Sequence, residues 1–156
     1  MRLKSHPVLS VLLLALVALQ YAKDSRADSS MEQQHCLALA LYWEARGEID
    51  AGMIAVGWTI LNRVASSDFP DTPCDVIFQG GEQPPCQFSW WCDGKSDKPR
   101  NAASWSRARD LAGMLLSDPP DDPTDGALYF HSSGIDVPWR VSRTETATIG
   151  NHVFYR

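Results

Sequence analysis

The sequence predicts an α+β protein, mainly α, with a small β element at its C-terminal end. Two observations carry that expectation. Apolar residues recur at helical spacing over 32–46, 49–65 and 101–116. After residue 126 the apolar pieces are short and rich in β-branched and aromatic residues. The chain has 156 residues, one domain's worth, and its 44% apolar and 21% charged content is that of a globular protein.

The first 27 residues read as a secretory signal peptide and the remaining 28–156 as the domain. Arg2, Lys4 and His6 make a basic start, Val8–Leu19 is apolar apart from Ser10, and Ser25-Arg26-Ala27 offers small residues for cleavage. The apolar run is shorter than the roughly 18 residues of a membrane span, so no span is expected after cleavage. Asp28–Ser30 is expected to be a polar leader.

Glu32–Arg46 (EQQHCLALALYWEAR) places Cys36, Leu37, Ala40, Leu41 and Glu44 on one helical face, and Gly47 is the expected stop. Ile49–Ala65 is a second helix with Asp50 as its N-cap and Met53, Val56, Ile60 and Val64 as its apolar stripe. Gly52 and Gly57 lower its propensity but let another element approach closely. Ser66–Pro73 is a loop, and Val76–Phe78 is too short to classify. Cys86–Cys92 (CQFSWWC) is aromatic and expected to be extended, with Gln87 and Ser89 on one face and Phe88 and Trp90 on the other. Asn101–Leu116 is the third helix, with Ala103, Trp105, Ala108, Ala112 and Leu115 near helical spacing. The Pro- and Asp-rich stretch 117–125 breaks it. Ala127–His131, Val137–Val141 and Thr148–Tyr155 are expected as short strands or extended pieces.

Charge narrows the function. Lys and Arg number 14 against 19 Asp and Glu, a net charge of −5, and removing residues 1–27 takes it near −8. A nucleic-acid partner is therefore not expected. Cys36, Cys74, Cys86 and Cys92 form an even set in an exported chain, which points to two disulfides in an oxidising compartment. Spacing does not choose among the three pairings. No HExxH or CxxC clamp appears, so neither a metal nor another cofactor is expected.

Glu44 is the residue best placed for chemistry. A carboxyl on an apolar helix face is costly unless paired or protonated, and burial raises its pKa towards what a general acid needs. Pairing with Arg46 or Arg63 is the competing structural role. Glu48 reads as a helix cap or an Arg partner. His131, His152 and His35 read as hydrogen-bonded structural histidines, and Ser89 lacks the turn of a serine nucleophile. The aromatic set Phe88, Trp90, Trp91, Trp105, Tyr129, Phe130 and Trp139 serves the core, and any exposed part suits stacking on sugar rings.

YWEARGE at 42–48 followed by GMIAVGWTILNRV at 52–64 resembles the SleB-like cell wall hydrolases, the spore cortex-lytic enzyme family. The likeness continues through CDVIFQ at 74–79, CQFSWWCDG at 86–94, ALYFH at 127–131 and TIGNHVFYR at 148–156, in the family's order. It implies a lysozyme-like domain acting on peptidoglycan glycan strands by lytic transglycosylation between N-acetylmuramic acid and N-acetylglucosamine. The first Glu of EARGE is the family's catalytic acid, which falls on Glu44. Gln87, Ser89, Trp90, Tyr129 and His131 are expected to contact the glycan. A muramidase-type hydrolase, a wall amidase and a non-catalytic wall-binding module are the alternatives. The expected setting is the periplasm or exterior, as a monomer in general wall remodelling rather than germination, because the paired cysteines suit an oxidising compartment and no additional wall-binding region is evident.

Overall fold

The computed structural model describes the backbone from residue 7 onward and, apart from Gln20, side chains from residue 26 onward. Of the expected signal segment, residues 1–6 lie outside the described residues. The chain divides into two units, residues 1–32 and 33–156.

Helix α1 spans Pro7–Ala45 and therefore starts well before the expected Glu32. The leader expected at Asp28–Ser30 is helical, because no Pro or Gly interrupts the sequence between Pro7 and Gly47. In the second unit its residues from Cys36 to Tyr42 are all buried. This is more than the single apolar face that spacing suggested: the helix is surrounded, and small Ala38 and Ala40 let neighbours close on its other sides.

Helix α2 (Asp50–Ala65) buries Met53, Val56 and Ile60 as expected. Its N-cap is Ile49, without a side-chain cap; Asp50 lies instead in the first turn and pairs with Arg107 at 2.6 Å. Gly57 permits a close approach to α4 (Ala102–Ser117), since a Cβ there would collide with the Leu115 side chain. Helix α3 (Pro73–Ile77) absorbs the unclassified piece, with Thr72 capping the Asp75 N–H. Asn101 caps α4 by accepting from the Ser104 N–H at 2.9 Å.

The C-terminal element is a three-stranded antiparallel sheet of order β1-β3-β2, from β1 (Tyr129–Ser132), β2 (Glu145–Ile149) and β3 (His152–Tyr155). The single piece expected over 148–155 is thus two strands. Gly150 turns the chain with φ +59°, and Asn151 follows it. The extended piece expected at Val137–Val141 is a 3₁₀ turn, Pro138–Ser142, where Pro138 has no N–H to give a sheet and Arg140 pairs with Asp136 at 2.7 Å.

Both disulfides form: Cys36–Cys74 joins α1 to α3, and Cys86–Cys92 closes a short loop. Among the described residues no helix is long and apolar enough to cross a membrane.

Candidate active site

Glu44 sits on the last turn of α1. The helix ends one residue later, where the Glu48 N–H donates to the Ala45 carbonyl at 2.9 Å. A groove of about 680 Å³ opens beside it, walled by Glu44 and Glu48, by Phe130 and His131 of β1, by Ile135 beyond it, and by Asn151 and His152 at the β2–β3 turn.

The Glu44 carboxyl has no cation within 4.0 Å among the described residues. Burial raises its pKa from 4.5 to about 7; the Trp90 indole and the charge of Arg63 oppose the rise without cancelling it. The indole N–H of Trp90 faces the carboxyl but closes no hydrogen bond. The structural pairing with Arg46 does not form. Arg46 lies on the other side of the turn, its guanidinium 5.0 Å from the ring centres of Tyr42 and Trp43.

Arg63 is 5% exposed, rare for a cation. Its Nε donates to the Leu128 carbonyl at 2.7 Å and its Nη1 to Gln87 Oε1 at 3.4 Å. The rings of Phe69, Phe88 and Tyr129 surround it at 5.2–5.8 Å. Burial lowers its pKa to about 10, so it stays charged at neutral pH. It is a fixed positive charge behind Glu44.

Among the described residues, Glu48 caps no helix and pairs with no Arg. Its Oε2 accepts the Asn151 backbone N–H at 3.1 Å and its Oε1 accepts Asn151 Nδ2 at 3.0 Å. The turn fits tightly around it, since a Cβ on Gly150 would collide with Glu48 Oε2. His152 Nδ1 lies 4.0 Å from Glu48 Oε1, and burial, followed by the nearby His131, holds that imidazole below its usual pKa against the pull of Glu48. Glu48 thus latches the α1–α2 turn to the sheet.

Of the residues expected to meet the glycan, His131 lines the Glu44 groove. Its Nδ1–H donates to the Ser132 carbonyl at 2.8 Å, which leaves Nε2 to accept the Tyr155 hydroxyl at 3.0 Å. Both ring nitrogens are engaged, so His131 is a wall and not a free base. Trp90 is 7% exposed and lines a second groove on the other side of Trp43. The alternation around it follows the expected faces, with Gln87 and Ser89 exposed and Phe88 and Trp90 buried. The backbone does not stay extended, because Ser89–Cys92 is a 3₁₀ turn within the disulfide loop. Gln87, Ser89 and Tyr129 line neither groove. Tyr129 instead supports the Arg143 guanidinium at 3.7 Å. The Glu48–Asn151 latch is not among the contacts expected from the sequence; the Gly150-Asn151 pair is the signal of its turn. Among the described residues, no three His, Cys, Asp or Glu side chains are grouped to hold a metal.

A mainly helical domain with an aromatic-backed carboxyl in an open groove is the class these features define. The sequence profile of the cell wall hydrolase family matches residues 47–155. The spore cortex-lytic enzyme of Bacillus cereus is 34% identical over 119 residues, 76% of this chain and 42% of that enzyme. The chain therefore spans less than half the length of that relative. The crystal structure of the catalytic domain of the Bacillus cereus SleB protein matches with a TM-score of 0.61 at 31% identity, covering 81% of this chain and 91% of that one. The catalytic domain of the germination-specific lytic transglycosylase SleB from Bacillus anthracis matches with a TM-score of 0.60 at 32% identity, covering 80% and 93%. The chain belongs to the cell wall hydrolase family.

Proposed function

We propose that this chain is an exported lytic transglycosylase that cuts the β-1,4 bond between N-acetylmuramic acid and N-acetylglucosamine in peptidoglycan, with Glu44 as acid and then base. The names of its relatives support the substrate. The observation that carries the mechanism is the unequal state of the two carboxyls in the groove: Glu44 has a raised pKa and, among the described residues, no ion pair, while both oxygens of Glu48 are occupied by Asn151.

A glycosidase of the two-carboxylate kind needs a second free carboxylate across the bond, as nucleophile or as base for water. Glu48 does not offer one. Transglycosylation dispenses with it. Protonated Glu44 gives its proton to the glycosidic oxygen as the bond to the muramic anomeric carbon breaks. The 6-hydroxyl of the same sugar attacks that carbon, and the Glu44 carboxylate takes the hydroxyl proton. The proton returns to Glu44, and the products are a new hydroxyl end and a 1,6-anhydro ring. Between the two transfers Glu44 is an anion, which the buried Arg63 charge and the Trp90 indole stabilise in place.

Export is part of the same reading, supported by the segment before Asp28 and by the two disulfides. The pH profile on purified peptidoglycan at constant ionic strength tests the acid's role. kcat/KM is expected to fall tenfold per pH unit above about 7, as the Glu44 proton is lost. A fall centred near the ordinary value of 4.5 would contradict the assignment.

A further inference from the structure

The second groove, about 650 Å³, lies between the C-terminal turn of α1 and the N-terminus of α4. Its aromatic floor is Tyr42, Trp43 and Trp90. It shares Trp90 with the Glu44 site, because Trp90 lines this groove and its indole faces Glu44.

Its charges are unusual for so acidic a chain. Arg46 and Arg100 both line it, both are exposed, and neither has a carboxylate within 4.0 Å among the described residues. The Arg46 guanidinium rests on the Tyr42 and Trp43 rings, which hold its position without neutralising it. Lys95 pairs with Asp93 at 3.2 Å. Among the described residues Asp97 has no such partner. Its backbone carbonyl accepts the Trp43 indole N–H at 3.2 Å, which fixes the loop. Its carboxyl is pushed above the usual range by burial and by the like charges of Asp93 and Glu82, a cost that an arriving cation relieves. Two unpaired guanidinium groups and one unpaired carboxylate on an aromatic floor complement a ligand with both carboxylates and an ammonium. The peptide stem of peptidoglycan has this chemistry when it contains a diamino acid, and it hangs from the muramic sugar beside the bond that Glu44 faces.

We propose that this groove is a stem-peptide site, taking a carboxylate on Arg46 and Arg100 and the diamino acid's ammonium on Asp97. The proposal rests on the glycan-cleaving reading for its substrate, not for its binding.

Two measurements test it. The first is an NMR titration of the oxidised protein with a free tetrapeptide stem carrying a diamino acid. Shifts of the Trp43 and Trp90 indole N–H signals are expected, weakened about tenfold in apparent affinity by Arg100→Gln. Asp97→Asn should weaken binding of this stem but not of one whose side-chain amine is acetylated. The second compares kcat/KM on intact strands and on strands stripped of stems by an amidase. The wild type is expected to favour intact strands about tenfold, chiefly through KM, and Arg100→Gln to bring that ratio near one. An unresponsive groove, or a wild-type ratio of one, overturns the proposal. Failure to cut either substrate would defeat the glycan-cleaving reading, and the titration would still decide the binding site.

Discussion

Replacing Glu44 by Gln is expected to slow strand cleavage by a factor of about 10²–10⁴, the usual worth of a general acid. Gln keeps the shape of the side chain but has no transferable proton. The fold should survive, because the Glu44 carboxyl anchors no ion pair among the described residues. Stability should even rise in one pH range. The folded-state pKa of Glu44 is about 7 against an ordinary 4.5, so the folded protein holds that proton more tightly than the unfolded chain. The stability linked to the proton is fully present below the unfolded value and is lost as pH rises through about 7. Above that pH the Gln variant should be the more stable protein, by on the order of 2–3 kcal/mol, with little difference at pH 4. Clearing of a peptidoglycan suspension and urea unfolding at the two pH values measure both effects. A variant within tenfold of wild-type activity would remove Glu44 from the chemistry. One less stable than wild type above pH 7 would mean that the carboxylate is structurally paired.

Removing the Cys36–Cys74 disulfide is expected to cost about 4 kcal/mol. Its partners are 38 residues apart, and a crosslink of that span removes considerable freedom from the unfolded chain. It also fastens α3 to the buried part of α1, beside the hydrogen bond from the Cys74 N–H to Gln33 Oε1 at 2.9 Å. For a domain of this size that loss lowers the melting temperature by about 15 °C. The Cys86–Cys92 bridge, six residues apart, should contribute about 2 kcal/mol. Its loop contains Trp90, so its loss should affect activity more than melting. The contrast is measured by melting and activity of the Cys36→Ala/Cys74→Ala and Cys86→Ala/Cys92→Ala pairs. A smaller stability loss in the first pair than in the second would contradict this assignment of roles.

How far the sequence exposed these features depended on how local their causes are. The three main helices were legible because apolar spacing and the stop at Gly47 act within a few residues. The all-round burial of Leu37–Tyr42 was not, since it depends on elements distant in the chain that close on both sides of the helix. The β2–β3 hairpin is hidden in the sequence because Thr148–Tyr155 reads as one β-rich run unless Gly150-Asn151 is weighed as a turn. At the site, the Glu44 environment was readable from its neighbours Leu37, Leu41 and Trp43. The latch on Glu48 was not, because its partner Asn151 lies 103 residues away. Gln87 and Ser89 were correctly placed on the outer face of their segment. Neither lines the Glu44 groove: Gln87 accepts a hydrogen bond from the buried Arg63, and Ser89 opens a 3₁₀ turn that local alternation does not reveal.

Mass spectrometry of the fragments released from purified peptidoglycan tests the central claim most directly. If Glu44 serves as both acid and base on one sugar, the new muramic ends are 1,6-anhydro and lighter than ordinary reducing ends by one water. Reducing muramic ends would mean that water attacks and that a second base operates in the groove, and released stem peptides with intact strands would mean that the glycan bond is not the target at all.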